Sequence, residues 1–513
     1  MKTISNVLIV GGGTAGWLTA AFLAKSLGTA AAGAVAITVV ESPEIASIGV
    51  GEGSFPSLRG TLAAIGIDEA CFVRECNATF KQGIKFVDWL RPPGTPGADH
   101  YFHPFSSPSQ RAGAPELLPY WLQGAAPAGV AFAAAATMQK TLADAGRAPK
   151  RSSDAAYLGP MNYAYHFDAG LFAQLLQRHA IALGVVHRQA TIEQVDLAQD
   201  GAIASLLCSD GSRLQADLYI DCSGFRAALI GKALGSPFKS VDDVLFVDRA
   251  LAMQVPYPEP HSAIPSYTMA TAQTAGWIWD IGLQQRRGVG HVYSSRHTDD
   301  VTAEQALRDY IGPAAAQLQA RKIDLALGYR PQAWVKNCVA VGLSGGFLEP
   351  LEASGIGLVE TAAYLISYLF PADGNQAPVA KVFNDMMRQR YERIVDFIKL
   401  HYCLTQRRDS AFWIDNLAPG SSKLSEQLAM WRSRAPHRLD FISDVEMYPC
   451  SSWQYVLYGM EFKTTLASNS LLWTRSSDAQ REFDMIAQMS RHALEDLPEH
   501  RALIEQMQAT AMK

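Results

Sequence analysis

Residues 4–27, ISNVLIVGGGTAGWLTAAFLAKSL, change their hydrophobic period at a single point. Val7 to Val10 run apolar without a break, the pattern of a parallel strand covered on both faces. Beyond the glycines, Ala20, Leu23 and Ala24 recur at the spacing of a helical face. AITVVE predicts a second strand ending in Glu41, and ADLYIDCSGFRA a third ending in Asp221 before a small-residue turn through Ser223 and Gly224. Residues 337–360 predict another buried strand over Val339–Leu343, then glycines, then a helix beginning near Ser354 and Gly355. GWIWDIGLQ, 276–284, alternates: Trp277 and Trp279 share one face of a strand, Ile278 and Asp280 the other. Read alone, it is an amphipathic strand burying its aromatic side. The alanine-rich run from Ala125 to Met138 is shorter than the ~20 residues of a membrane span and carries Pro127 and Gly129, so it predicts a buried helix. DMIAQMSRHALEDL predicts an amphipathic helix near the end of the chain that packs on its own lobe.

Between the first strand and helix, Gly11, Gly13 and Gly16 satisfy GxGxxG. The first glycine permits the tight turn, and the second lets backbone approach a pyrophosphate. The third lets helix pack on sheet with its N-terminus toward the phosphate charge. Glu41 lies where an acid would bind a ribose hydroxyl. These elements predict an α/β, Rossmann-like, doubly wound dinucleotide module. The segments around Asp221 and 337–360 favour FAD, since a helix start aimed at a flavin stabilises the negative charge of its reduced form. There is no second GxGxxG for NAD(P)H, so electrons are expected from a partner. A chain of 513 residues exceeds one core, so a second lobe is expected. A net charge of −5 gives no footprint for nucleic acid or acidic membranes. The seven cysteines include only one close pair, Cys71 and Cys76, which is not CxxC, so neither zinc nor disulfides are expected. His100 and His103 have a metal-like helical spacing without further ligands nearby. The short apolar run of MKTISNVLIV does not read as a signal peptide, and a reduced, cytoplasmic setting is expected.

Seven motifs in one order carry a resemblance: GGGTAGW (11–17), IGVGEGSFPSL (48–58), FKQGIKF (80–86), YFHPF (101–105), YAYHFDAGLFA (163–173), GWIWDIG (276–282) and GFLEPLEASGIG (346–357). Together they resemble the flavin-dependent tryptophan halogenase family. The resemblance implies an enzyme that takes FADH2 from a separate NAD(P)H-dependent flavin reductase. It makes hypohalous acid from oxygen and halide, then passes that acid through the protein to an electron-rich aromatic. It implies a cofactor site at Gly11, Gly13, Thr14, Ala15, Gly16, Glu41, Val50, Gly51, Asp221, Gly342 and Leu343. Lys81 matches the catalytic lysine that polarises the acid or carries its halogen, with Lys85 as competitor; Glu352 matches the essential glutamate, with Glu349 as fallback. Ser354 and Gly355 match the halide-binding amides, and Trp277, Trp279 and Ile281 a partition between flavin and substrate. His103 and Phe105 match the residues that sandwich the aromatic.

Two departures matter. Gly282 stands where the family has proline after W-x-W-x-I. In FISDVEMYPCSSWQ, 441–454, the paired tyrosines that hold free tryptophan are missing; Tyr448 stands at the stacking position and Trp453 nearby. Indole or another phenol- or pyrrole-like aromatic is therefore expected in place of free tryptophan, with bromide preferred over chloride because it is easier to dehydrate and oxidise. The FAD module is expected over 1–90, 151–240 and 331–372, and a mostly helical substrate lobe over 91–150, 241–330 and 373–513. A homodimer is left open. The rivals are a flavin monooxygenase and a non-catalytic flavin-binding protein.

Overall fold

The computed structural model describes residues 3–29, 34–44, 51–109, 111–467 and 473–510. The chain divides into two discontinuous units: Met1–Ala78, Phe167–Val241 and Ala326–Glu392 form the first, and Thr79–His166, Asp242–Leu325 and Arg393–Lys513 the second.

The first unit is built on a six-stranded sheet. Its spatial order is Trp334–Val335, Cys338–Ala340, Leu218–Asp221, Asn6–Val10, Ala36–Glu41 and Val186–Gln189. All pairings are parallel except that of the short Trp334–Val335 edge. Taking the parallel strands in chain order, the sheet reads 3-2-1-4-5, so the winding reverses beside the first strand. In such sheets the crevice at the carboxyl ends of the strands on either side of that reversal receives the ligand. Val7, Leu8 and Ile9 are buried, as an unbroken apolar strand requires. The helix Thr14–Leu27 packs between Ala169–Ala182 and Ser354–Tyr368. The strand expected over Val339–Leu343 ends earlier, at Ala340. Gly342 takes a left-handed φ of +72° and opens a tight turn through Ser344, which ends the extended run.

The second unit is built on a seven-stranded sheet in the order Arg321–Asp324, Arg249–Pro256, Arg286–Tyr293, Gly276–Gly282, Thr268–Gln273, Gly83–Val87 and His100–Pro104. One pairing, Thr268–Gln273 with Gly83–Val87, is parallel. The unit also holds most of the later helices, among them Cys450–Gly459 and Ser476–Asp496. The latter is the expected amphipathic helix, burying Phe483 and Ile486. The single helix expected over Ala125–Met138 is not formed: only Phe132–Ala136 is helical. Pro127 and the left-handed Gly129 break the run before it. His100 and His103 lie on a strand, where an odd spacing sends side chains to opposite faces. Among the described residues no group of three or more His, Cys, Asp or Glu is placed to hold a metal, and no helix is long and apolar enough to cross a membrane.

One buried acid in the first unit has a measurable consequence. Glu360, on the Ser354–Tyr368 helix, accepts hydrogen bonds from Ser57 (2.8 Å) and Thr61 on the neighbouring Ser57–Ile65 helix. Burial pushes its pKa up from 4.5 to about 7, outweighing those two bonds. A carboxyl raised in the folded state contributes stability below its unfolded pKa and loses it as pH rises through the folded one. Glu360→Gln is therefore expected to stabilise the protein by about 2–3 kcal/mol at pH 8 and by almost nothing at pH 4.5. Denaturant melts at the two pH values measure this.

Candidate active site

The close approaches at the end of the first strand explain the glycine motif atom by atom. Gly11 has φ +117°, and a Cβ there would lie 2.2 Å from the carbonyl oxygen of Cys222, which directly follows the neighbouring strand Leu218–Asp221. A Cβ on Gly16 would lie 1.9 Å from the Gly11 carbonyl oxygen. Both positions must be glycine for the turn to close and the helix to pack. Gly13 differs: a Cβ there would meet nothing within 4 Å. It is the N-cap of the Thr14–Leu27 helix, and no side chain caps that end. Free amides at a helix start with open space above them fit a dinucleotide pyrophosphate. Thr14 and Ala15 begin the helix, and the Gly342 turn closes on it, with a Gly342 Cβ position 2.8 Å from the Ala15 Cβ. Leu343 lies in that same turn.

Glu41 ends the second strand with its Oε2 over Gly12, so closely that a Cβ on Gly12 would overlap it at 1.4 Å. Oε1 accepts hydrogen bonds from His187 Nε2 at 2.7 Å and Gln177 Nε2 at 3.3 Å. His187 in turn meets the buried Trp17 edge-on, with ring centroids 5.2 Å apart. Gly12, His187 and Gln177 are thus partners of the acid that sequence reasoning passed over; the middle glycine of the Gly11–Gly13 run was the available signal for the first of them. Asp221 is fully buried. Its Oδ1 accepts from Ser223 N and Oγ (3.0 and 2.6 Å) and its Oδ2 from the amides of Leu229 and Ile230 (both 2.8 Å), so its carboxylate builds the turn that follows the strand. Gly51 is buried at the start of a short strand, Gly51–Gly53; Val50 lies outside the described residues.

Also in the first unit, Pro350–Glu352 forms one helical turn that leads through Ala353 into the Ser354–Tyr368 helix. Ala353 has φ +54°, a strained conformation for a residue with a Cβ. Glu349 and Glu352 are both buried. The helix start has no side-chain cap, Ser354 is buried, and a Cβ on Gly355 would meet nothing within 4 Å. Its amides are an anion-binding end of the same kind as that at Gly13.

In the second unit Lys81 ends the three-residue strand Thr79–Lys81, which pairs antiparallel with residues 164–166. The side chain is 1 % exposed and its Nζ stands 5.3 Å from the Phe105 ring centroid. Lys85 is only partly buried and is spent on Asp144, 3.4 Å away, so the two lysines have different environments. Residues on either side of Lys81 are held by partners remote in sequence. Thr79 Oγ1 donates to the Gly282 carbonyl at 2.6 Å, Gln82 N to the Ser266 carbonyl at 2.6 Å, and Gln82 Nε2 to the Arg147 carbonyl at 2.7 Å. Gly282, where the family has proline, therefore anchors the lysine strand through its oxygen, and its neighbours Ile264 and Tyr257 leave no room for a side chain.

From Phe105 a continuous aromatic cluster extends. His103 lies 6.3 Å from Phe105 and 5.8 Å from Phe397, centroid to centroid. Tyr448 stacks on Phe397 at 4.1 Å and 23°, and Trp453 meets Phe397 edge-on at 5.0 Å. The four aromatic residues expected at the substrate, His103, Phe105, Tyr448 and Trp453, thus belong to one cluster whose hub, Phe397, was not anticipated. Beneath it the Arg393 guanidinium lies 5.0 Å over Trp453 and donates to Glu446 and Asp396, each at 2.7 Å.

The tryptophan strand sits inside the seven-stranded sheet. Its Ile278 face joins a core with Leu251, Val289 and Leu307, while Asp280 meets Arg287 and Tyr310. On the other face Trp277 lies among Trp89 and its aromatic neighbours, and Trp279 lies beside it at 6.4 Å. Gly290 makes the room for Trp279: a Cβ there would lie 2.2 Å from the indole ring. Trp277 and Ile281 are buried and Trp279 is 9 % exposed.

Gly12 and Gly13 separate two kinds of damage. Gly13→Ala places a methyl in open space and is expected to leave the melting temperature of the FAD-free protein unchanged while weakening FAD binding about tenfold or more. Gly12→Ala displaces the Glu41 carboxylate and is expected to lower both. Thermal melts without FAD and fluorescence titrations with FAD give the comparison.

The tryptophan halogenase family model matches residues 6–472. The chain is 34 % identical to a tryptophan 6-halogenase, SttH, of Streptomyces toxytricini, over 96 % of both chains. It superposes on a tryptophan halogenase from Shewanella frigidimarina with TM-score 0.94 at 40 % identity, covering 99 % of this chain and 98 % of that one. BrvH, a flavin-dependent halogenase from Brevundimonas sp. BAL3, gives 0.88 at 35 % identity, with 98 % and 99 % covered. The Rossmann-ordered sheet, its glycine turn and the motif order agree with this breadth of similarity, and the chain belongs to the flavin-dependent tryptophan halogenase family of oxidoreductases.

Proposed function

We propose that this chain is an FADH2-dependent halogenase that transfers halogen from hypohalous acid to an electron-rich indole-, phenol- or pyrrole-like ring in place of free tryptophan. The observation that carries it is Lys81: a buried ammonium over the Phe105 ring, at one end of the His103, Phe105, Tyr448 and Trp453 cluster. When bound in reduced form with oxygen and halide, FAD supplies the hypohalous acid. Gly11, Gly13, Thr14, Ala15, Gly16, Gly51 and the Gly342–Leu343 turn would hold the cofactor, and Glu41 its ribose. Asp221 shapes the turn beside it. The amides of Ser354 and Gly355 hold the halide.

Lys81 donates a hydrogen bond that polarises the HO–X bond, and Glu352 takes the proton that the ring loses. The carbon–halogen bond forms as O–X breaks; the departing hydroxide takes a proton from Lys81 and leaves as water, and the proton collected by Glu352 replaces it on the lysine. Trp277, Trp279 and Ile281 keep the aromatic away from the flavin; Trp279, opposite Ala270 and Gly290 on the neighbouring strands, is buried like the other two. The relative from Streptomyces toxytricini is named for action on tryptophan. Here the family's paired tyrosines are absent and Glu446 is engaged by Arg393, which supports a substrate without the amino-acid group. A separate NAD(P)H-dependent reductase supplies FADH2.

Reactions with a flavin reductase, FAD, NADH and either halide, offered indole and tryptophan and read by mass spectrometry, test this. Halogenated indole should exceed halogenated tryptophan, with bromide faster than chloride. Lys81→Ala and Glu352→Gln should each lower product formation by about 10²–10⁴-fold without loss of FAD binding. Oxygenated product without any halide requirement would replace halogenation by a monooxygenase reaction, and unaltered turnover in both variants would remove the assignment of those residues.

A further inference from the structure

The strand that carries Lys81 has an open edge. Thr79–Lys81 pairs with residues 164–166 on one side and ends its sheet on the other. Phe80 is fully buried, so its edge-facing N–H must find an acceptor away from water. That acceptor is a histidine: Phe80 N–H donates to His500 Nε2 at 3.0 Å. On the other side of the ring, His500 Nδ1–H donates to the Ile264 carbonyl at 2.9 Å. Two partners of opposite kind fix the imidazole as the neutral Nδ1–H tautomer. Burial supports this, pushing the His500 pKa down from 6.5 to about 4.

The surroundings hold His500 as firmly as it holds Phe80. It begins the helix His500–Thr510, and its own amide donates to the Gly146 carbonyl at 2.9 Å. Just before it, the Pro498 carbonyl accepts from Ala148 N at 2.9 Å. Just after it, Arg501 donates to the Gln284 carbonyl and lies 5.3 Å over Tyr257, whose hydroxyl donates to the Leu283 carbonyl at 3.0 Å. Residues 146–148 and 282–284 are the same segments that receive Gln82 and Thr79 from the lysine strand. The segment 498–501 therefore closes a ring of hydrogen bonds around residues 79–82, and His500 is its contact with the backbone next to Lys81.

We propose that His500 is a positioning residue for Lys81: the neutral imidazole supplies the acceptor that the open strand edge lacks and so fixes where the lysine amine meets oxidised halogen. This rests on the reading of Lys81 as catalytic. No sequence motif marks His500, since its role exists only where a distant helix meets that edge.

The test compares His500→Leu, which removes the acceptor, with His500→Gln, whose amide oxygen restores one, in the full chain with FAD and reductase. His500→Leu should lower kcat at least tenfold with little change in KM for the aromatic. It should raise the share of oxidant caught by an added scavenger, and speed hydrogen–deuterium exchange of the 79–82 segment. His500→Gln should recover most of all three, and neither variant should alter FAD affinity. Equal kcat, equal scavenged share and equal exchange in His500→Leu would overturn the proposal. If His500→Leu does not fold, nitrogen-15 NMR of the unaltered protein decides: an Nδ1–H imidazole with unprotonated Nε2 at pH 6 supports it, and an Nε2–H or doubly protonated ring overturns it. Lys81→Ala run alongside separates the two readings, because its full activity would remove the catalytic role of the lysine whatever the exchange at Phe80 shows.

Discussion

The burial of Lys81, 1 % exposed with its amine 5.3 Å from the Phe105 ring, is the constraint on which the proposed chemistry of the second unit depends. Burying a charge costs several kcal/mol unless its surroundings supply electrostatic compensation, and every polar group nearby must be satisfied as well. The three-residue strand under Lys81 meets that demand almost entirely with tertiary partners. Gly282, Ser266, Arg147 and His500 come from four distant stretches of chain; Ser266 takes two hydrogen bonds from residues 79–82 and each of the others takes one. The Phe105 ring face adds a cation–π contact at 5.3 Å. Lys85, by contrast, is only partly buried and pairs with Asp144 at 3.4 Å.

The first unit answers a different constraint, the approach of backbone to backbone at the end of one strand. Gly11 against Cys222 and Gly16 against Gly11 leave no space for a methyl, whereas Gly13 and Gly355 each face open space at an uncapped helix start. One kind of glycine lets the chain close, and the other leaves room for a charged ligand. Glu41, poised over Gly12 and held by His187 and Gln177, links that turn to the next two strands of the sheet. The left-handed Ala353 has a corresponding place, joining the Pro350–Glu352 turn to the Ser354 helix.

Much of this was legible in the chain. The buried strand at Val7–Val10, the glycine turn, the strand ends at Glu41 and Asp221 and the helix at Ser354 are local patterns, and local sterics decide them. The alternation in GWIWDIG correctly sorted Trp277 and Trp279 from Ile278 and Asp280. Local patterns failed where turn chemistry or pairing intervened. Gly342 ended a strand early, Gly129 broke an alanine-rich helix to five residues, and strand pairing put His100 and His103 on opposite faces. The seven-stranded sheet was not foreseen as a sheet, because its order is set by pairings between remote segments, Thr268 opposite Ile84 among them.

By itself, then, the sequence determined the family, the dinucleotide turn and which lysine and which glutamate to inspect, since these depend on residue type at short spacing. Only the tertiary structure decided that Asp221 spends both its oxygens on a turn, that Phe397 is the hub joining His103 to Tyr448 and Trp453, that Gly290 makes room for Trp279, and that His500 holds the backbone beside Lys81. The physical reason is the same in each case. A hydrogen-bond acceptor or a ring face is recognisable only by what stands opposite it, and in this chain the opposite partner comes from a remote stretch or from a neighbouring strand whose pairing no local pattern reveals.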